Sequence, residues 1–161
     1  MILDYLSLFK KKFSSKKESY SYGTIDILVN YFFKNKYNGI YVDVGCQNPI
    51  SNNNTYLLYK NKNWNGMNID LDQKNIDLFN LVRKRDLNIK AAVSSGNFKK
   101  KIYFYHSKSA INTLEKKISN FQNAKVKKII DVDTVTLNQL LFKNNIKKID
   151  FLSVDVEGHE I

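Results

Sequence analysis

The chain has 161 residues and carries 26 Lys and Arg against 15 Asp and Glu, a formal charge of +11. That length suits one domain, and a hydrophobic content of 43% excludes wholesale disorder despite the charge. The single cysteine, Cys46, excludes an internal disulfide framework and a multi-cysteine zinc site.

Residues 1–23 read as a short helix and a polar linker, ahead of a domain over 24–161. The apolar stretch 2–9 is interrupted by Asp4 and Ser7 and is too short to span a membrane. Its lysines follow the apolar part, which is the wrong order for a secretory signal. Ile25, Leu28, Val29 and Phe32 predict a helix over 24–36. Residues 40–44, Ile-Tyr-Val-Asp-Val, form a β-branched run that reads as a buried strand ending at Gly45. A polar loop over 46–53 and a helix over 55–62 follow. A second strand is predicted over 67–71, then a helix capped by Asp72 and running to 85, with Ile76, Phe79 and Val82 on one face. Residues 87–94 read as a third strand and 102–106 as a further strand paired as a hairpin with neighbouring backbone. Residues 107–128 are polar and carry no clear pattern. An extended segment over 129–135 leads to a helix that Thr136 and Gln139 open with a capping box, its apolar face Leu137, Leu140 and Leu141. The last strand is 149–156. Strands alternating with helices mean an α/β fold with a mainly parallel sheet and helices on both faces.

Ligands of such sheets bind outside the carboxyl ends of the strands. Three acidic groups fall there. Asp43 precedes a turn with one glycine, Gly45, and the loop has neither GxGxxG nor a GxxxxGK phosphate loop. A ligand with an amine or sulfonium suits that carboxylate better than a phosphate; a plain strand-to-helix turn is the alternative. Asp70 ends the second strand and can accept from both hydroxyls of a ribose. It or Asp72 must also cap the next helix. Asp155, Glu157 and His159 crowd the end of the last strand, where clustered titratable groups suit proton transfer or metal binding, with a surface cap for a following helix the alternative. Cys46 reads as a small buried wall residue of the ligand loop. His106 reads as a structural histidine, and Trp64 packs at the mouth of the second strand.

Only Arg83 and Arg85 are arginines among the basic residues. Lys, Asn and Ile share AT-rich codons, so base composition is one reading of the charge and a diffuse positive field for a partner is the other. Scattered lysines with only two arginines make a poor nucleic-acid face, and no nucleic-acid partner is expected. A basic nucleic-acid-binding module with a vestigial pocket is nonetheless the alternative from another class. With no spanning segment, a cytoplasmic location is expected.

Several motifs occur together in a known order: Tyr41-Val42-Asp43-Val44-Gly45, Asn54-Thr55-Tyr56-Leu57, Trp64-Asn65-Gly66, Asn68-Ile69-Asp70, Ala91-Ala92-Val93-Ser94, Val135-Thr136-Leu137, and the block from Ile149 through Asp155-Val156-Glu157-Gly158-His159-Glu160. In these the chain resembles the FkbM-type methyltransferases, over about residues 20–161, most specifically in the last block. The resemblance implies a Rossmann-like methyltransferase fold and S-adenosylmethionine as cofactor. It implies that Asp43 and Gly45 border the methionine moiety, with Cys46 in the same loop. Asp70 would hold the ribose, and Leu71, Ala92 and Val93 would flank the adenine. Asn54 and Thr55 would order the loop beneath. Asp155 and Glu157, with His159 beside them, would face the methyl group and the acceptor, a hydroxyl of a carbohydrate, glycan or related metabolite. No resident metal is expected; a metal-assisted transfer with Asp155, Glu157 and His159 among the ligands is the competing version. Family domains often have Glu-Pro where this chain has Asp70-Leu71, and they continue past the last strand. The chain is therefore expected to be a fragment lacking C-terminal strands. The outer edge of the strand 151–156, which should lie beside the first strand, would then be open and prone to aggregation.

Overall fold

The computed structural model describes residues 19–104 and 128–156. The expected helix in the first 18 residues, His106, Glu157 and His159 lie outside these. In chain order the described elements are α1 (Ile25–Phe32), β1 (Ile40–Val44), α2 (Tyr56–Asn61), β2 (Asn65–Asp70), α3 (Gln73–Val82), β3 (Leu87–Lys90), β4 (Ala92–Val93), β5 (Lys99–Phe104), β6 (Lys128–Val135), α4 (Leu137–Lys143) and β7 (Phe151–Val154). Two compact units divide the chain, Met1–Lys90 with Ile149–Ser153 and Ala91–Lys148 with Val154–Ile161.

The first unit is built on a sheet in the order β3-β2-β1-β7. β1 and β2 are parallel, Val42 opposite Met67, and β2 and β3 are parallel, Ile69 opposite Ile89. Tyr41, Val42, Asp43 and Val44 are all buried, as an interior parallel strand covered on both faces requires. Gly66 stands opposite Tyr41, and a side chain on it would run into the Tyr41 carbonyl oxygen. The sheet is mainly parallel and flanked by helices, and β7 lies beside β1, both as expected.

The helices pack where their apolar residues direct them. Val29 of α1 and Leu58 of α2 meet Tyr41 and Trp64 in one buried cluster. Trp64 is fully buried just before β2, and its indole Nε1 donates to the Lys36 carbonyl at 3.1 Å. Burying a ring of that size stabilises by about 1.5–3 kcal/mol. Asp72 caps α3 by accepting from the Lys74 amide at 3.0 Å, and Ile76, Phe79 and Val82 are buried as the sequence indicates. Three helices are shorter than expected, α2 by one residue at each end. α1 begins at Ile25, because Gly23 and Thr24 have φ of 62° and 61°, and ends at Phe32 rather than 36, because Phe33 leaves helical geometry (φ −97°, ψ 28°). α3 stops at Val82, because Arg83 leaves helical geometry (φ −106°, ψ 60°) and turns its side chain into the core.

In the second unit the sheet order is β4-β6-β5. The predicted strand 87–94 is in fact two strands. β3 pairs with β2, and β4 pairs in parallel with β6, Ala92 opposite Thr134. One apolar run satisfies both, and periodicity does not record a change of partner. The strand expected at 102–106 starts earlier, at Lys99, and its antiparallel partner is the distant β6 rather than neighbouring backbone. Lys99 faces Asp133 and Lys101 faces Asp131, so opposite charges pair across the ladder. The capping box of α4 is formed, with the Gln139 amide donating to the Thr136 hydroxyl at 3.2 Å and the Thr136 amide donating to the Gln139 side chain at 3.0 Å. Leu140 is buried, with Leu137 and Leu141 half-buried beside it in sequence.

Candidate functional site

The parallel sheet of the first unit ends at two loops, 45–55 after β1 and 71–72 after β2. Gly45 turns the first of them with φ 79°, a conformation in which glycine has no Cβ to clash. The amides of Gly45 and Cys46 both donate to the Ile69 carbonyl, at 2.9 and 3.1 Å, which draws the loop across the end of β2. Gln47 follows in the left-handed region, φ 50°, at a cost of about 1–2 kcal/mol. Its amide donates to Asp70 Oδ2 at 2.9 Å, which holds it there.

Asp70 joins the two strand ends. Its Oδ1 also accepts from the Asp72 amide at 2.8 Å and from Asn75 Nδ2 at 3.1 Å. Burial pushes its carboxyl above the usual range, and these N–H donors pull the other way. Asp70 therefore braces the start of α3, while Asp72 supplies the cap.

Asp43 is buried at the end of β1. Its Oδ2 accepts from Asn53 Nδ2 at 3.1 Å and from the Thr55 hydroxyl at 3.0 Å. Burial raises its carboxyl to about 6, against the Arg83 charge and the hydrogen bonds of Thr55, Asn53 and Ser153. Asn54 Nδ2 donates to Ser153 Oγ at 3.2 Å, tying the loop to β7.

The structure thus brings Asp43, Gly45, Cys46, Asn54, Thr55 and Asp70 together in the first unit. Leu71 follows Asp70, half-buried. Ala92 and Val93 form β4 in the second unit, Ala92 buried. Asp155 is exposed, just past β7. Cys46 is 2% exposed and packs on Ile76 and Phe79. Burial pushes its thiol well above the usual range, which suits a wall residue and not a nucleophile. Among the described residues no three His, Cys, Asp or Glu side chains gather as a metal cluster.

Sequence reasoning passed over Asn53, Arg83, Asp86 and Ser153. Arg83 is fully buried and donates to Pro49, Tyr41, Thr55 and Asn53. Asp86 accepts from the Tyr41 hydroxyl, from Asn68 Nδ2 at 2.9 Å and from the Gly66 amide at 3.1 Å. The available signal was the choice of arginine in a lysine-rich chain.

A mainly parallel sheet flanked by helices, with carboxylates ending adjacent strands, defines the class as an α/β protein with a Rossmann-like sheet. The methyltransferase FkbM domain matches residues 43–161, and the chain belongs to that family. No curated protein and no solved structure matches it. No helix among the described residues is long and apolar enough to cross a membrane.

Proposed function

We propose that this methyltransferase-family chain uses S-adenosylmethionine, bound at the carboxyl ends of β1 and β2, to methylate a hydroxyl of a carbohydrate, glycan or related metabolite. The observation that carries the reading is the Asp70 carboxylate, which ends β2 and also accepts from the Gln47 amide in the loop after β1. A carboxylate so placed can accept from ribose hydroxyls. The chemistry of the donor set fits this cofactor. The strand ends offer carboxylates, amides and a hydroxyl, and the nearby Arg83 is wholly covered, so an amine and a sulfonium suit the site better than a phosphate.

In this reading Asp43 and Gly45 border the methionine moiety and Cys46 is part of the wall. Asn54 and Thr55 order the loop. Leu71 flanks the adenine. The cofactor, when bound, supplies an electrophilic methyl group. The protein's task is to position the acceptor in line with it, with Asp155 or Glu157 the candidate by sequence to accept the hydroxyl proton.

Equilibrium binding of radiolabelled S-adenosylmethionine tests the reading. Saturable binding to the wild-type chain, weakened about tenfold or more by Asp70→Ala and by Asp43→Ala, is expected. Salt-sensitive binding of RNA without any binding of the cofactor overturns it.

A further inference from the structure

Arg83 has no exposed surface. It stands where α3 ends, and its guanidinium reaches three parts of the first unit. Nε donates to the Pro49 carbonyl at 2.9 Å. Nη1 donates to the Tyr41 hydroxyl at 3.0 Å and to Thr55 Oγ1 at 3.1 Å, and Nη2 donates to Asn53 Oδ1. Asp86 Oδ2 lies 3.6 Å from Nη1. The rings of Tyr41, Tyr56, Tyr59 and Phe79 surround it, with centroids 5.1–5.8 Å from Cζ.

Charge balance alone does not explain this arrangement. Asp86 would satisfy a buried cation, yet three of the four hydrogen bonds go to neutral acceptors on the single segment 49–55. Two of those acceptors are the residues that hold Asp43. Asn53 takes the guanidinium on Oδ1 and donates from Nδ2 to Asp43 Oδ2. Thr55 accepts from Nη1, and its one hydroxyl proton is within reach of the same Asp43 oxygen at 3.0 Å and of Asn53 Oδ1 at 2.9 Å. Each residue is thus a relay between the buried cation and the strand-end carboxylate.

We propose that Arg83 is the positioning residue of the cofactor site: it fixes the segment 49–55 from within the protein and, through Asn53 and Thr55, orients the Asp43 carboxylate. The inference rests on the cofactor reading above. A loop that carries left-handed Gly45, Gln47 and Asn52 is costly to order at the moment of binding. Holding it in place beforehand removes that cost from the affinity. A lysine would not replace the arginine, since a point charge cannot serve acceptors in three directions with a planar fork.

Calorimetric titration of the full chain with S-adenosylhomocysteine tests the proposal. Arg83→Lys and Arg83→Met are each expected to raise Kd about tenfold or more. Val29→Ala, which thins the core beside α1, is the stability control; it lowers Tm and leaves Kd at the wild-type value. A purely structural role for Arg83 would behave like that control. Asn53→Ala keeps the arginine and breaks one relay, so it also raises Kd, and adding Arg83→Lys to it costs less than about threefold more. If the arginine variants do not fold, Asn53→Ala decides alone, because an unchanged Kd there overturns the relay. Wild-type binding with an unchanged Kd in Arg83→Lys, or fully additive effects in the double variant, also overturns the inference and leaves the cofactor reading standing. Failure of the wild-type chain to bind overturns both.

Discussion

Asp43 keeps its proton in the folded protein to about pH 6, against an ordinary value of 3.8, because it is buried. Between those values the native state binds more protons than the unfolded chain, so stability falls as pH rises through the window. Asp70 and Asp86 are raised by burial as well and act in the same direction. Wild-type stability from urea denaturation should therefore drop between pH 4 and pH 6, and Asp43→Asn should flatten much of that slope. A stability that rises over the same range would contradict the burial assigned to these carboxylates. Arg83 tests the same cluster from the other side. Removing one partner of a buried charge pair typically costs about 3–5 kcal/mol, so Arg83→Ala should lose that much in the same assay at pH 7. The sequence held a signal that the reading passed over, since all but two of its 26 basic positions are lysine. The identity of its partners was not legible, because Pro49, Asn53 and Asp86 reach it through folding and not through spacing.

Among the elements, those with one strong local signal were readable. The β-branched run of β1, the Asp72 cap of α3 and the Thr136 capping box all stand where the residues indicate. Replacing Thr136 by Ala should cost about 1 kcal/mol in chemical denaturation, the usual worth of a side-chain cap. What failed were boundaries fixed by partners elsewhere in the chain. β3 and β4 divide one apolar run between two sheets, and β5 gains three lysines because β6 offers aspartates opposite two of them. The β1–β2 contact has a sharper requirement. Gly66→Ala would drive a methyl into the Tyr41 carbonyl oxygen, so this variant should melt well below the wild type or fail to accumulate as soluble protein. An unshifted melting curve would mean that the two strands can separate without loss.

At the scale of the molecule, the family match from 43 to 161 runs through both compact units. The carboxylates assigned to the methionine and ribose, with the loop and arginine behind them, all belong to the first. Asp43 and Asp70 were visible in the sequence because strand ends are where such sheets bind ligands. Their support was not, because it comes from a helix terminus and a loop. The central claim is that the two strand ends of the first unit form the cofactor site, and ultraviolet cross-linking of radiolabelled S-adenosylmethionine, followed by mapping of the labelled peptides, tests it most directly. The account predicts label in peptides covering residues 43–55 and 66–75, competed away by unlabelled S-adenosylhomocysteine and reduced in Asp70→Ala. Competable label confined to peptides elsewhere in the chain, or no competable label at all, would contradict it.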